Sequence, residues 1–201
     1  MTEHPTLYAL LVGINSYQAA DIDNLEGCVN DVRLMERLLT RHYAVPAEAV
    51  CTLLEQDATR DAIARAFRTH LIDNAKARVH DDSPPAFLFY YAGHGSQAPD
   101  ATGKEPDGLD ETIVPVDSRQ GQVFDIKDWE LGQWLEELAA HSKHVTAILD
   151  CCHAGSGTRG LKQLKIKARM CPTDQRHQPA GRPSQAPSLR QPERDKGYVL
   201  Y

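Results

Sequence analysis

Residues 85–97 read Pro85-Ala86-Phe87-Leu88-Phe89-Tyr90-Tyr91-Ala92-Gly93-His94-Gly95-Ser96-Gln97. Residues 145–155 read Val145-Thr146-Ala147-Ile148-Leu149-Asp150-Cys151-Cys152-His153-Ala154-Gly155. Each is a short apolar run, rich in branched or aromatic side chains, that gives way to small and polar residues. Runs of this kind suit strands buried on both faces of a parallel sheet. Open α/β sheets carry their sites at the carboxyl ends of such strands. An imidazole, His94, and a thiol, Cys152, therefore stand where chemistry is expected.

The surrounding chain supports the same class. Thr6–Ile14 and Val50–Leu54 read as further strands. Val32, Leu34, Met35, Leu38 and Leu39 recur at a helical period within Asn30–Tyr43. Thr59 suits the N-cap of a helix from Arg60 to about Arg78, with Ile63, Ala66, Phe67, Leu71 and Ile72 on one face. A glycine- and acid-rich loop follows His94, then a short extended piece at Thr112–Val116. Asp125 or Asp128 is the expected cap of a helix running through Trp134 and Leu138 to about His141. Strands alternating with helices predict an α/β fold, a mainly parallel sheet flanked by helices.

The chain has 201 residues, enough for one domain with a sizeable core. No apolar run approaches the roughly 18 residues of a membrane span, so no membrane partner is expected. Five cysteines, two of them adjacent, make a poor disulfide framework and suit a reducing, cytoplasmic setting. The net charge of −6 hides a split. Residues 1–158 hold 12 Lys/Arg against 25 Asp/Glu, whereas residues 159–201 hold 10 against 3. An acidic body argues against a nucleic-acid partner. Five of the twelve prolines fall between Lys162 and Lys196, so 162–196 reads as a flexible basic linker. Residues 197–201 then read as the start of a further strand.

A thiol attacks as thiolate, and a neighbouring imidazole activates it. Cys152 lies just past its strand, where it faces a cleft; alternation along the strand turns Cys151 away. The amides of Gly95 and Cys152 are candidates to hold an oxyanion. This chemistry is that of a cysteine peptidase. Zinc is the rival, through Cys151, Cys152, His153 and His94, but adjacent cysteines cannot easily share one tetrahedral ion. The cluster Asp107-Gly108-Leu109-Asp110-Glu111 offers oxygen ligands for calcium without the spacing of a helix-loop-helix site.

Tyr90–Gln97, Asp107–Glu111 and Asp150–Gly155 together resemble the metacaspases and their prokaryotic relatives, the orthocaspases, which are caspase-like cysteine peptidases of family C14. Ala9–Asn15 and Leu25–Asp31 resemble that family too. The resemblance implies a caspase-like three-layer sandwich over residues 1–161 and an endopeptidase with His94 and Cys152 as its dyad and Gly95 at the oxyanion. It also implies that Asp31 and Asp150, with Cys28 beside them, line a pocket for a basic side chain. Cleavage after Arg or Lys follows from two carboxylates in one partly buried pocket. The expected partners are thus protein or peptide substrates with basic residues, and no cofactor is required.

Calcium-dependent members carry several aspartates, of which Asp110 and Asp128 have counterparts here. Trp129 and Arg159 stand where further acids are expected, so calcium independence is the expectation. The resemblance also makes 162–196 a processing region between the fourth strand and further C-terminal strands. Arg169, Arg176, Arg182, Arg190 and Arg194 are its candidate self-cleavage positions. The other function class compatible with the sequence is a silent or gated signalling scaffold acting on one dedicated partner.

Overall fold

The structure is a computed structural model, and it describes residues 5–103, 105–152, 169–176 and 178, with the backbone of 198–200. Five strands form one parallel sheet in the order β2-β1-β3-β7-β8. They are β1 (Leu7–Gly13), β2 (Val50–Leu54), β3 (Ala86–Ala92), β7 (Val145–Asp150) and β8 (Tyr198–Leu200). β1 and β3 are buried along nearly their whole length, as the unbroken apolar runs require.

Side-chain alternation assigns the two faces. Gly13 lies on the face of α1 (Cys28–Arg37), where a Cβ would come within 2.7 Å of Val32. Tyr8, of opposite parity, stacks on Phe87 and meets His70 edge-on. The second face therefore carries α2 (Arg60–Ala66), a π-helical stretch Phe67–Ile72 and α3 (Asp73–Arg78), which form one continuous rod. Phe67 packs edge-on against Phe89 and tilted against Trp134 of α4 (Asp128–Ala139). Helices thus cover both faces, an α/β sandwich of three layers.

The Thr59 hydroxyl accepts the Ala62 N–H at 3.2 Å, which caps the long rod at its start. α1 likewise runs on into a π-helical turn, Leu38–His42, so the apolar period extends past the regular helix.

Two elements differ from the sequence reading. The stretch after His94 is not a plain loop: β4 (Gly95–Pro99), β5 (Leu109–Ile113) and β6 (Ile126–Lys127) form a small antiparallel sheet. The cap of α4 is neither Asp125 nor Asp128 but Lys127, whose N–H donates to Glu130 at 3.0 Å. Asp125 is instead drawn inward to Thr112 and Arg119. Residues 169–176 also depart from a free linker, because they lie as a strap along β4.

Candidate active site

β3 and β7 are parallel neighbours with Ala92 opposite Asp150. Both chains leave the sheet at the same edge, which puts His94 and Cys152 each two residues beyond a matched pair. At Gly93 a Cβ would lie 2.5 Å from the Tyr91 hydroxyl and 2.9 Å from that of Tyr17. Glycine alone lets the chain pass under both. The Tyr17 hydroxyl accepts the His94 N–H at 2.8 Å, and the Tyr91 hydroxyl reaches the carbonyls of His94 and Val114.

The His94 ring is buried, with Nε2 at 2.7 Å from the carbonyl oxygen of Asp23. A carbonyl only accepts, so Nε2 carries a proton and the neutral ring keeps its lone pair on Nδ1. Nδ1 has no hydrogen-bond partner among the described residues. Burial lowers the pKa of His94 below the usual imidazole value, although the backbones of Asp23 and Arg169 oppose the shift. The ring is therefore neutral at pH 7, as a general base must be.

Cys152 follows Cys151 out of the strand. Cys151 packs against the main core, and burial pushes its pKa far up, with Cys152, Asp150 and Glu111 adding to the rise. Its surroundings favour the protonated thiol.

The amides of Gly95 and Cys152 converge on one atom, the carbonyl oxygen of Arg169, at 2.9 and 3.0 Å. The Arg169 guanidinium lies between two carboxylates, paired with Asp31 Oδ2 and Asp150 Oδ2, and it also reaches the Asp150 carbonyl at 3.3 Å. Burial disfavours this cation, but Asp31, Cys28 and Asp150 outweigh that and raise its pKa. Asp31 stands in the first turn of α1, whose N-cap Gly27 adopts a left-handed φ of 101°. Asp150 shares the parity of Ala92 and so points to the α1 face. Its Oδ2 accepts the Tyr90 hydroxyl at 3.3 Å. Cys28 is fully buried next to this group, and its thiol is pushed up to about 11, chiefly by burial.

The remaining candidates separate clearly. Arg176 is engaged elsewhere: it pairs with Asp174 at 2.7 Å, donates to the Val123 carbonyl at 2.8 Å and covers the Phe124 ring. Arg182, Arg190 and Arg194 lie outside the described residues. Asp110 is buried against Lys127, whose Nζ is 2.9 Å from Oδ2 and 2.8 Å from the Pro99 carbonyl. Asp128 accepts the N–H of Trp129 at 2.7 Å. Among the described residues, no group of three or more His, Cys, Asp or Glu is disposed to hold a metal ion. Residues not singled out as site residues from the sequence also enter the site. Asp23 contributes through its main-chain carbonyl, which any residue could supply, and Tyr17 and Tyr90 read as ordinary core aromatics.

A parallel sheet with a histidine and a cysteine at neighbouring strand ends, over an acidic pocket, defines a caspase-like class of protein. The family model of the metacaspase, peptidase C14 domain matches residues 8–159, and the chain belongs to that family. It is 36% identical over 149 residues to metacaspase-1 of Schizosaccharomyces pombe, covering 73% of this chain and 33% of that protein. It is 38% identical over 156 residues to metacaspase-1 of Pyricularia oryzae, covering 74% of this chain and 36% of that one. The chain thus spans about a third of the length of these curated relatives. A crystal structure of a Geobacter sulfurreducens protein superposes with a TM-score of 0.60 at 28% identity, over 84% of this chain and 58% of that one.

Proposed function

We propose that this chain carries the catalytic portion of a cysteine endopeptidase that cuts after Arg or Lys, and that it cuts itself between Arg169 and Met170. One observation carries the reading. The Arg169 carbonyl rests on two converging amides while its side chain fills a two-carboxylate pocket. An arginine at a cleaved bond needs both at once. Amides aimed at a carbonyl oxygen stabilise the negative charge that develops there.

In the reaction, His94 takes the thiol proton of Cys152, and the sulfur adds to the Arg169 carbonyl carbon. The carbonyl electron pair moves to oxygen and is held by the amides of Gly95 and Cys152. The tetrahedral adduct collapses, the bond to the Met170 nitrogen breaks, and His94 returns the proton to that nitrogen. Water then adds to the thioester with His94 as base, which releases the Arg169 carboxylate and restores the thiol. The balance closes without a cofactor.

An uncut chain would hold its own arginine in the pocket, so the same geometry supports a gated enzyme, inert toward short peptides until Arg169 leaves. Calcium independence has its own support: the Lys127 ammonium already neutralises Asp110, and a second cation beside it is repelled.

The test uses the natural full-length chain and its Cys152→Ala and Arg169→Gln variants, with and without calcium. Fragment masses identify any cut, and fluorogenic peptides ending in Arg, Lys or Asp report turnover. The expected result is a break after Arg169, lost in both variants, with cleavage of basic peptides unaffected by chelator. Preference for Asp peptides overturns the pocket assignment. Silence from every peptide, with the chain intact, favours a scaffold.

A further inference from the structure

The strap beyond Arg169 is held by a second set of contacts that cleavage itself does not require. Cys171 is buried against Ala19, Ile22 and Val114, a small apolar cluster separate from the main core. The Cys171 N–H donates to the Gly95 carbonyl at 3.1 Å and the Asp174 N–H to that of Gln97 at 2.8 Å. The Pro172 carbonyl accepts from Ser96 Oγ at 2.8 Å and from Arg119 Nη2 at 2.6 Å.

Arg119 is positioned for this task. It holds a left-handed φ of 65°, unusual for a residue with a side chain and concentrated at functional sites. Its guanidinium is nearly sealed, with Asp21 at 3.3 Å and Asp125 at 3.6 Å holding it from behind. Nη2 also reaches Ser96 Oγ at 3.1 Å and Cys171 Sγ at 3.3 Å. Most of these contacts fall on main-chain atoms, which any extended polypeptide presents. Around Cys171 the side-chain contacts are those of the small pocket and of Arg119 Nη2.

Resting on the assignment of Arg169 as the residue before the cut, we propose that these residues form a subsite on the leaving-group side. The Ala19–Ile22–Val114 pocket takes a small, uncharged side chain at the second position after the scissile bond, and Arg119 clasps the carbonyl of the third. Substrate proteins are thus selected on both sides of the cut: a basic residue before it and a small residue two places after.

Internally quenched peptides of the form Arg-Met-X-Pro-Thr, with X as Ala, Ser, Trp or Asp, test this on the processed full-length protein. Ala and Ser are expected to serve similarly. Trp and Asp should lower kcat/KM by about tenfold or more, mainly through KM: Trp because the pocket is small, and Asp because Arg119 is already paired with Asp21 and Asp125 and burial disfavours a further carboxylate beside them. Arg119→Gln should raise KM more for these peptides than for peptides whose fluorophore directly follows Arg, whereas a purely structural role would depress both alike. Equal rates for all four peptides, within about twofold, overturn the subsite while leaving the Arg assignment intact. No cleavage after Arg in any peptide overturns both.

Discussion

Among the basic side chains that sit on carboxylates, Lys127 and Arg169 do so in opposite ways. Lys127 and Asp110 are sealed, with side-chain exposures of 6% and 1%. Arg169 lies between Asp31 and Asp150, which keep exposures of 32% and 47%. A sealed pair cannot exchange its partner without leaving a charge buried, so it behaves as a clasp on the small antiparallel sheet. The open pair can release its cation to solvent and accept another, because both carboxylates remain hydrated when it leaves. Burial, more than the identity of the charges, separates a fixed ion pair from one that is free to open.

The sharpest way to break this contrast is to neutralise the open pocket. Asp31→Asn together with Asp150→Asn should cut kcat/KM for Arg peptides by about 100-fold, since each close but partly exposed charge pair with a ligand contributes about 1.5 kcal/mol. Thermal stability should change little, and a large fall in Tm would mean that the pocket is structural after all. Removing the sealed cation should do the reverse. Lys127→Met leaves the Asp110 carboxylate buried without this cation, at a cost of about 3–5 kcal/mol. Tm should fall by roughly 10 °C for a chain of this size. The double variant with Asp110→Leu should recover much of the loss, and failure to recover would show that Lys127 acts through the Pro99 carbonyl instead.

A smaller effect sharpens the site itself. Because burial lowers the pKa of His94, the base stays neutral to pH values below the usual imidazole range. The acid limb of kcat/KM should therefore lie below pH 6.5, and a limb at or above that value would contradict a buried, neutral base. The same shift makes the folded state bind fewer protons than the unfolded one. Its contribution to stability is complete above the unfolded value and declines as pH falls through the folded one.

Much of this molecule is written in local pattern. Runs such as Phe87–Tyr91 and Ala147–Leu149 declare buried strands, and Thr59 declares a helix start, because side-chain period and cap chemistry act over a few residues. The same locality named His94 and Cys152 as strand-end candidates. The antiparallel sheet escaped because Gly95–Pro99 and Leu109–Ile113 are short and weakly apolar, and they become strands only by pairing with each other. Lys127 as a cap escaped for a different reason: it caps through its backbone N–H, which donates to Glu130, and not through a side-chain oxygen of the usual capping type.

The sequence by itself determined the strand and helix order and the residue types at the two strand ends. Only the tertiary structure decided that the Asp23 carbonyl orients the His94 ring, that Asp31 and Asp150, joined beforehand by the family resemblance alone, meet at one guanidinium, and that Arg169 rather than Arg176 supplies it. Those outcomes depend on atoms brought together across 71, 119 and 138 residues of separation. No local periodicity reaches that far, and a backbone carbonyl or an arginine in a basic stretch carries no mark of where it will come to rest.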